Sequence, residues 1–281
     1  MGSFGGSFGT RAAVVAGVYM SEQGDLSDVL PQDLYWRVVK GALDDAGLGL
    51  PDVDGLIGPA PEGPGLRHGL PGAAMADLLG RPLRFHANTA VGAASTAAGI
   101  GPATWAIGHG VADVIILPMV SAGKGTGYTS ADRSAAILHM AKLGTPYEWL
   151  WGTTRVADHA AIAQRHMHDF GTTPAQLAEV AVAQRHGATL HPLSVMGGRG
   201  EITIEDVLTS RMICAPLHLL DSCIVNQGAG CVVLAAAERL DARIPVVRLV
   251  GYGQAHGYLD PNHLPGLTDF RGAVAATTAF S

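Results

Sequence analysis

The chain has 281 residues, 48% of them hydrophobic and 15% charged, enough for one large or two small domains with a sizeable core. Its net charge is −6 and it has no Lys/Arg cluster, which argues against nucleic acid as a partner. No apolar run reaches the roughly 18 residues that cross a bilayer, so no membrane span is expected. The opening "MGSFGGSFGT" lacks the charged start and apolar centre of a signal peptide, and residues 1–11 read as a flexible lead-in. Cys214, Cys223 and Cys231 form no CxxC pair and leave an odd count, which fits buried thiols in a reducing cytoplasm.

Strands and helices alternate, as in an α/β layered fold. "AAVVAGVYM" (12–20) reads as a buried strand. "PQDLYWRVVKGALDDAG" (31–47) reads as a helix, with Leu34, Tyr35, Val38, Val39, Ala42, Leu43 and Ala46 on one face. "VDGLIG" (53–58) is a short strand, followed by a Pro/Gly-rich loop and a short helix ending at Gly80. "PLRFHAN" (82–88) is a strand that feeds a helix of Gly, Ala and Ser, with Pro102 expected to kink or shorten it. "ADVIILPMVSAG" (112–123) is another buried strand. A loop-rich excursion (124–150) is long enough to suggest a lid or interface. Residues 151–171 read as a helix, and the next starts at a capping box, Thr173 with Gln176, and Pro174 at its first position. Thr203 and Asp206 repeat the signal. Residues 222–238 read as two β segments around a glycine turn and 246–255 as a strand, while 256–281 show little periodicity.

Three stretches carry a family resemblance. They are "FGTTPAQLAEVAVAQRHGATLHP" with "ITIEDVLTSRMICAPLHLLDSCIVNQGAGCVVL" between Phe170 and Leu234, "GVADVIIL", and "GYGQAHG". From about Ala12 to Gln254 the chain resembles the thiolase superfamily, nearest its sterol-carrier-type and lipid-transfer branch. The resemblance implies a layered α/β/α/β/α fold with a domain over 12–240 and the start of a second, largely missing half over 241–281. It also places a nucleophilic cysteine at the head of the buried helix, where free N–H groups and the helix dipole would activate it. Here that motif is "VGAAST" and the cysteine position falls on Ala93, so an acyl-enzyme through this residue is excluded. Gln227 stands where the family's turn carries Asp, and no GHP-type histidine follows.

Gly92, Ala93 and Ser95 are therefore expected to make room for substrate, with Ser95 read as a helix-packing hydroxyl and, as the alternative, a nucleophile. His256 and Tyr258 are candidate acid–base groups, and Tyr252 is read as packed. Cys223 is read as a buried core thiol, with a reactive thiol as the alternative. Lys124, Arg133 and Lys142 read as solvated loop charges, with CoA phosphates as the alternative ligand. His166 and His168 point ~200° apart on one helix and do not share a metal there. No metal or cofactor is expected. The resemblance implies an acyl-CoA thioester substrate, a homodimer, and a small OB-fold, zinc-ribbon partner protein. The first function expected is retro-aldol cleavage of a β-hydroxyacyl-CoA with a steroid or lipid side chain. A non-catalytic acyl-CoA-binding or scaffold subunit is the second and a conventional thiolase the third.

Overall fold

A computed structural model of the chain describes residues 9–59, 70–89, 91–121, 155–224, 226–257, 264 and 266–281. The excursion at 124–150, with Lys124, Arg133 and Lys142, falls outside the described residues, as does Tyr258. Contacts divide the chain into two compact units, Met1–Thr126 with Gln227–Tyr252, and Gly127–Asn226 with Gly253–Ser281.

The first unit is built on a six-stranded mixed sheet. In chain order its elements are β1 (Ala13–Met20), α1 (Pro31–Asp45), β2 (Gly55–Ile57), α2 (Pro71–Leu79), β3 (Phe85–Ala87), α3 (Ser95–Gly108) and β4 (Val114–Ser121). The two strands that complete the sheet, β7 (Gly228–Ala236) and β8 (Val247–Arg248), lie later in the chain, after the elements of the second unit. The strand order is β3-β2-β4-β7-β1-β8. β2 pairs in parallel with β3 and β4, while β4 with β7, β7 with β1, and β1 with β8 are antiparallel.

The pleat explains why the central strands are apolar throughout. Val114 and Ile116 of β4 join one buried cluster with Leu34, Val38, Val39 and Leu43 of α1. Ile115 and Leu117 join another with Ala103, Ala106 and Ile107 of α3. Successive residues serve opposite faces, so a strand covered by helices on both sides has no polar position to spare. The face of α1 that is buried consists of Leu34, Tyr35, Val38, Val39, Ala42 and Leu43, the 3.6-residue stripe seen in the sequence. Burying each of its larger aliphatic side chains contributes about 2 kcal/mol.

Asp54 ties the parallel strands together at one end. Its carboxylate accepts from the backbone N–H groups of Asp113 and Val114, both at 2.9 Å, and from Arg84 Nη1 at 3.1 Å. Its own carbonyl accepts from Arg84 N and Phe85 N at the entry to β3.

The second unit holds α4 (Arg155–Phe170), α5 (Pro174–Leu190), α6 (Ile204–Thr209), a hairpin of β5 (Met212–Cys214) with β6 (Leu217–His218), and α7 (Gly272–Phe280). Both expected capping boxes form. Thr173 accepts from the Gln176 amide while Gln176 Oε1 accepts from Thr173 N, and Thr203 with Asp206 does the same. Three expectations are corrected. Of the two β segments expected over 222–238, only the second forms among the described residues, because strand pairing begins at Gly228. The strand expected over 246–255 pairs only at Val247 and Arg248. The region 256–281 contains α7, whose short run of small residues has no side-chain cap and no buried position to reveal it.

Candidate active site

The head of α3 is a strand–turn–helix corner. β3 stops at Ala87, a 3-10 turn occupies Gly92–Ala94, and α3 starts at Ser95. Gly92 has φ +67°, a left-handed conformation that a residue without Cβ adopts at little cost. Ser95 Oγ accepts from Val91 N–H at 3.1 Å and donates to the Gly92 carbonyl at 2.6 Å. Thr89 Oγ1 donates to the Ser95 carbonyl at 2.9 Å. Gly92, Ala93 and Ser95 therefore share one tied corner.

Its chemistry follows from what it holds. Ala93 offers no nucleophile. The Ser95 hydroxyl is committed to the turn, with its proton directed at a carbonyl rather than a base. Ala94, at the N-cap, makes no side-chain hydrogen bond to the positive end of α3. Such a helix end stabilises negative charge that develops on a nearby oxygen.

The rest of α3 is held close to the sheet. A Cβ at Gly99 would meet Leu117 and Ile57 at 2.9 and 3.0 Å, so the helix sits too near β4 and β2 for a side chain there. Pro102 lies inside α3, yet the helix runs unbroken from Ser95 to Gly108, which corrects the expected shortening. Proline has no N–H to give the carbonyl four residues back, that of Ala98. The Tyr252 hydroxyl donates to the Ala98 carbonyl at 2.9 Å. Its ring lies so close over Gly101 that a Cβ there would be 2.6 Å from Cζ. Burial raises the Tyr252 pKa and keeps the phenol a donor.

Gln227, at the family's Asp position, is 3% exposed and accepts from Leu26 N at 2.7 Å through Oε1, so it secures the loop after β1. Burial pushes the Cys231 thiol up to about 12, leaving it unreactive at neutral pH. Cys223 is exposed, against the expectation of a core thiol, because it follows a 3-10 turn instead of lying in a strand. It borders a groove of about 520 Å³ in the second unit, with Leu177, Val180, Met196, Leu220 and Ile224 among its lining residues.

His256 belongs to the second unit and is exposed, with the Gln254 amide nitrogen 2.6 Å from its Nε2. The His166 ring lies 4.7 Å from that of Phe170 at a tilt of 44°, and Thr172 Oγ1 is 2.8 Å from the His166 Nδ1. The role of Tyr252 was not foreseen. The signal that could have found it is Pro102 itself, since a proline within a helix leaves a carbonyl that needs an outside donor.

No protein-family model matches the chain. Among curated proteins, the steroid side-chain-cleaving aldolase of Thermomonospora curvata is 29% identical over 88% of this chain and 63% of its own length. The acetyl-CoA acetyltransferase of Methanothermobacter thermautotrophicus is 30% identical over 81% and 58%. The 17-hydroxy-3-oxo-4-pregnene-20-carboxyl-CoA lyase of Mycobacterium tuberculosis is 32% identical over 72% and 52%. The chain thus spans between about half and two thirds of the length of these relatives. Among solved structures, the Ltp2-ChsH2(DUF35) aldolase superposes with a TM-score of 0.71 at 27% identity, over 93% of this chain and 66% of that one. A monomeric SCP2-thiolase-like protein type 1 from Mycobacterium smegmatis shares the fold, with a TM-score of 0.64 at 18% identity over 96% and 56%. The mixed sheet between α1 and α3, the corner at Gly92–Ser95 and these likenesses agree: the chain has the thiolase-like fold and is similar to acyl-CoA aldolases, lyases and acetyltransferases built on it.

Proposed function

We propose that the protein is a retro-aldolase that cleaves a carbon–carbon bond of a β-hydroxyacyl-CoA bearing a steroid or lipid side chain. The observation that carries the reading is the corner at Gly92–Ser95, which keeps the helix end and has no nucleophile. Relatives named as an aldolase and a lyase support it.

In this reaction a base takes the proton of the β-hydroxyl. The oxygen lone pair forms the new C=O as the Cα–Cβ bond breaks. The bonding electrons pass into the thioester as an enolate, and a proton then returns to Cα. A ketone or aldehyde and a shortened acyl-CoA leave. The step needs a base and support for the enolate oxygen, and no acyl-enzyme. In this reading the head of α3 faces the thioester, Gly92 and Ala93 leave space for it, Ser95 holds the turn, and Tyr258 and His256 transfer protons. We further propose a homodimer that works with a small OB-fold, zinc-ribbon protein in the cytoplasm. The solved structure named as an Ltp2-ChsH2(DUF35) aldolase supports a partner subunit.

A second reading, a non-catalytic acyl-CoA-binding or scaffold subunit, is favoured by the commitment of the Ser95 hydroxyl to its own turn. The test is incubation of the full-length natural protein, alone and with co-purifying partners, with a β-hydroxyacyl-CoA. The expected result is a carbonyl product plus a shortened acyl-CoA, lost on Tyr258→Phe. Turnover that survives this change keeps the reaction and removes Tyr258 from it. Binding of the CoA ester without turnover under every partner condition selects the scaffold.

A further inference from the structure

We propose that Tyr252 is a positioning residue whose hydroxyl stands in for the backbone donor that Pro102 lacks, so that α3 runs on unbroken and its head stays in place. In an unbroken helix the Ala98 carbonyl takes the N–H of residue 102, and here that N–H does not exist. Ala98 is 7% exposed, so a donor from bulk water is poorly placed to replace it. The Tyr252 hydroxyl meets this carbonyl at 2.9 Å. Gly101 lies beside Pro102 and is bare on the side where the tyrosine ring rests. One turn toward the helix start, Ser95 and Thr89 tie the corner that begins the helix. Proline, glycine and tyrosine thus form one device. The proline removes a donor, the glycine admits a ring, and the ring delivers a hydroxyl. Thr104 is engaged separately, donating to the Ile100 carbonyl at 2.8 Å.

The link to catalysis rests on the retro-aldol reading, whereas the device itself does not. The experiment is a double-mutant cycle in the full-length protein with Tyr252→Phe, Pro102→Ala and their combination. Amide hydrogen exchange in peptides covering residues 89–101 is followed beside retro-aldol turnover. In the parent, Tyr252→Phe is expected to speed exchange by about five-fold, as loss of one buried hydrogen bond does. Pro102→Ala restores a backbone donor, so in that background Tyr252→Phe is expected to change neither exchange nor kcat. Gly101→Ala displaces the ring by a second route and is expected to reproduce the exchange of Tyr252→Phe. Equal effects of Tyr252→Phe in both backgrounds would overturn the proposal. So would turnover that stays lost in the double variant after its exchange has been restored, because the phenol would then be doing chemistry. If the parent shows no turnover, alone or with co-purifying partners, the retro-aldol reading fails, and the exchange cycle still decides the device.

Discussion

Asp54→Ala is expected to loosen the end of the sheet from which the strand leading to the candidate site departs. The carboxylate is nine-tenths buried as a side chain and serves two backbone N–H groups, those of Asp113 and Val114. A hydrogen bond to a charged acceptor contributes about 1.5–3 kcal/mol, and an unmet buried donor costs a similar amount. Val114 is fully buried, so its amide carries the full cost. Asp113 is partly exposed, so water meets part of the need of its amide. Arg84 keeps other acceptors, Asp113 at 3.5 Å and the Gly110 carbonyl at 2.6 Å, and adds little. The sum is roughly 3 kcal/mol, and with a urea slope of about 3 kcal/mol per molar the midpoint moves down by about 1 M. Asp54→Asn keeps one acceptor oxygen and is expected to fall between the two. Urea titration followed by circular dichroism measures both. A shift under about 0.2 M for the alanine variant, the size expected of a surface change, would refute the reasoning.

The cysteines are expected to separate sharply. In the native protein at pH 8 a thiol reagent should label exposed Cys223 rapidly and buried Cys231 only after unfolding; equal rates would contradict the burial of β7. The folded pKa of Cys231 is raised from 9.0 to about 12 by burial, so the thiol's contribution to stability is present below pH 9 and lost as pH rises toward 12. Cys231→Ala should flatten that alkaline decline, read as the urea midpoint against pH. Thr173→Ala removes the N-cap of α5 and should cost about 1 kcal/mol, with Thr173→Ser restoring most of it. A shift in the thermal midpoint tests this, and no shift would mean that the end of α5 is held by other contacts.

Local rules were legible in the chain. The α1 stripe, both capping boxes and the unbroken apolar runs of β1 and β4 follow from side-chain period and cap chemistry, which act within a few residues. The family resemblance was legible as well, through the run between Phe170 and Leu234. It carried the α/β class and drew attention to Ala93. Partners far apart in the chain were not legible. Pro102 read locally as a helix breaker because its missing donor is visible in sequence, whereas the donor that replaces it lies 150 residues away at Tyr252. Cys223 and Cys231 have similar apolar neighbours, yet one is exposed and the other is buried within β7. Burial depends on which face of which strand packs against a helix. Composition and periodicity therefore determined that an α/β layered fold would form, with buried strands and a small-residue helix among its elements. Only the tertiary structure decided that Tyr252 would hold that helix and that Gln227 would hold the loop after β1. Both depend on hydrogen-bond groups meeting at about 3 Å, a condition that three-dimensional packing sets and local sequence does not.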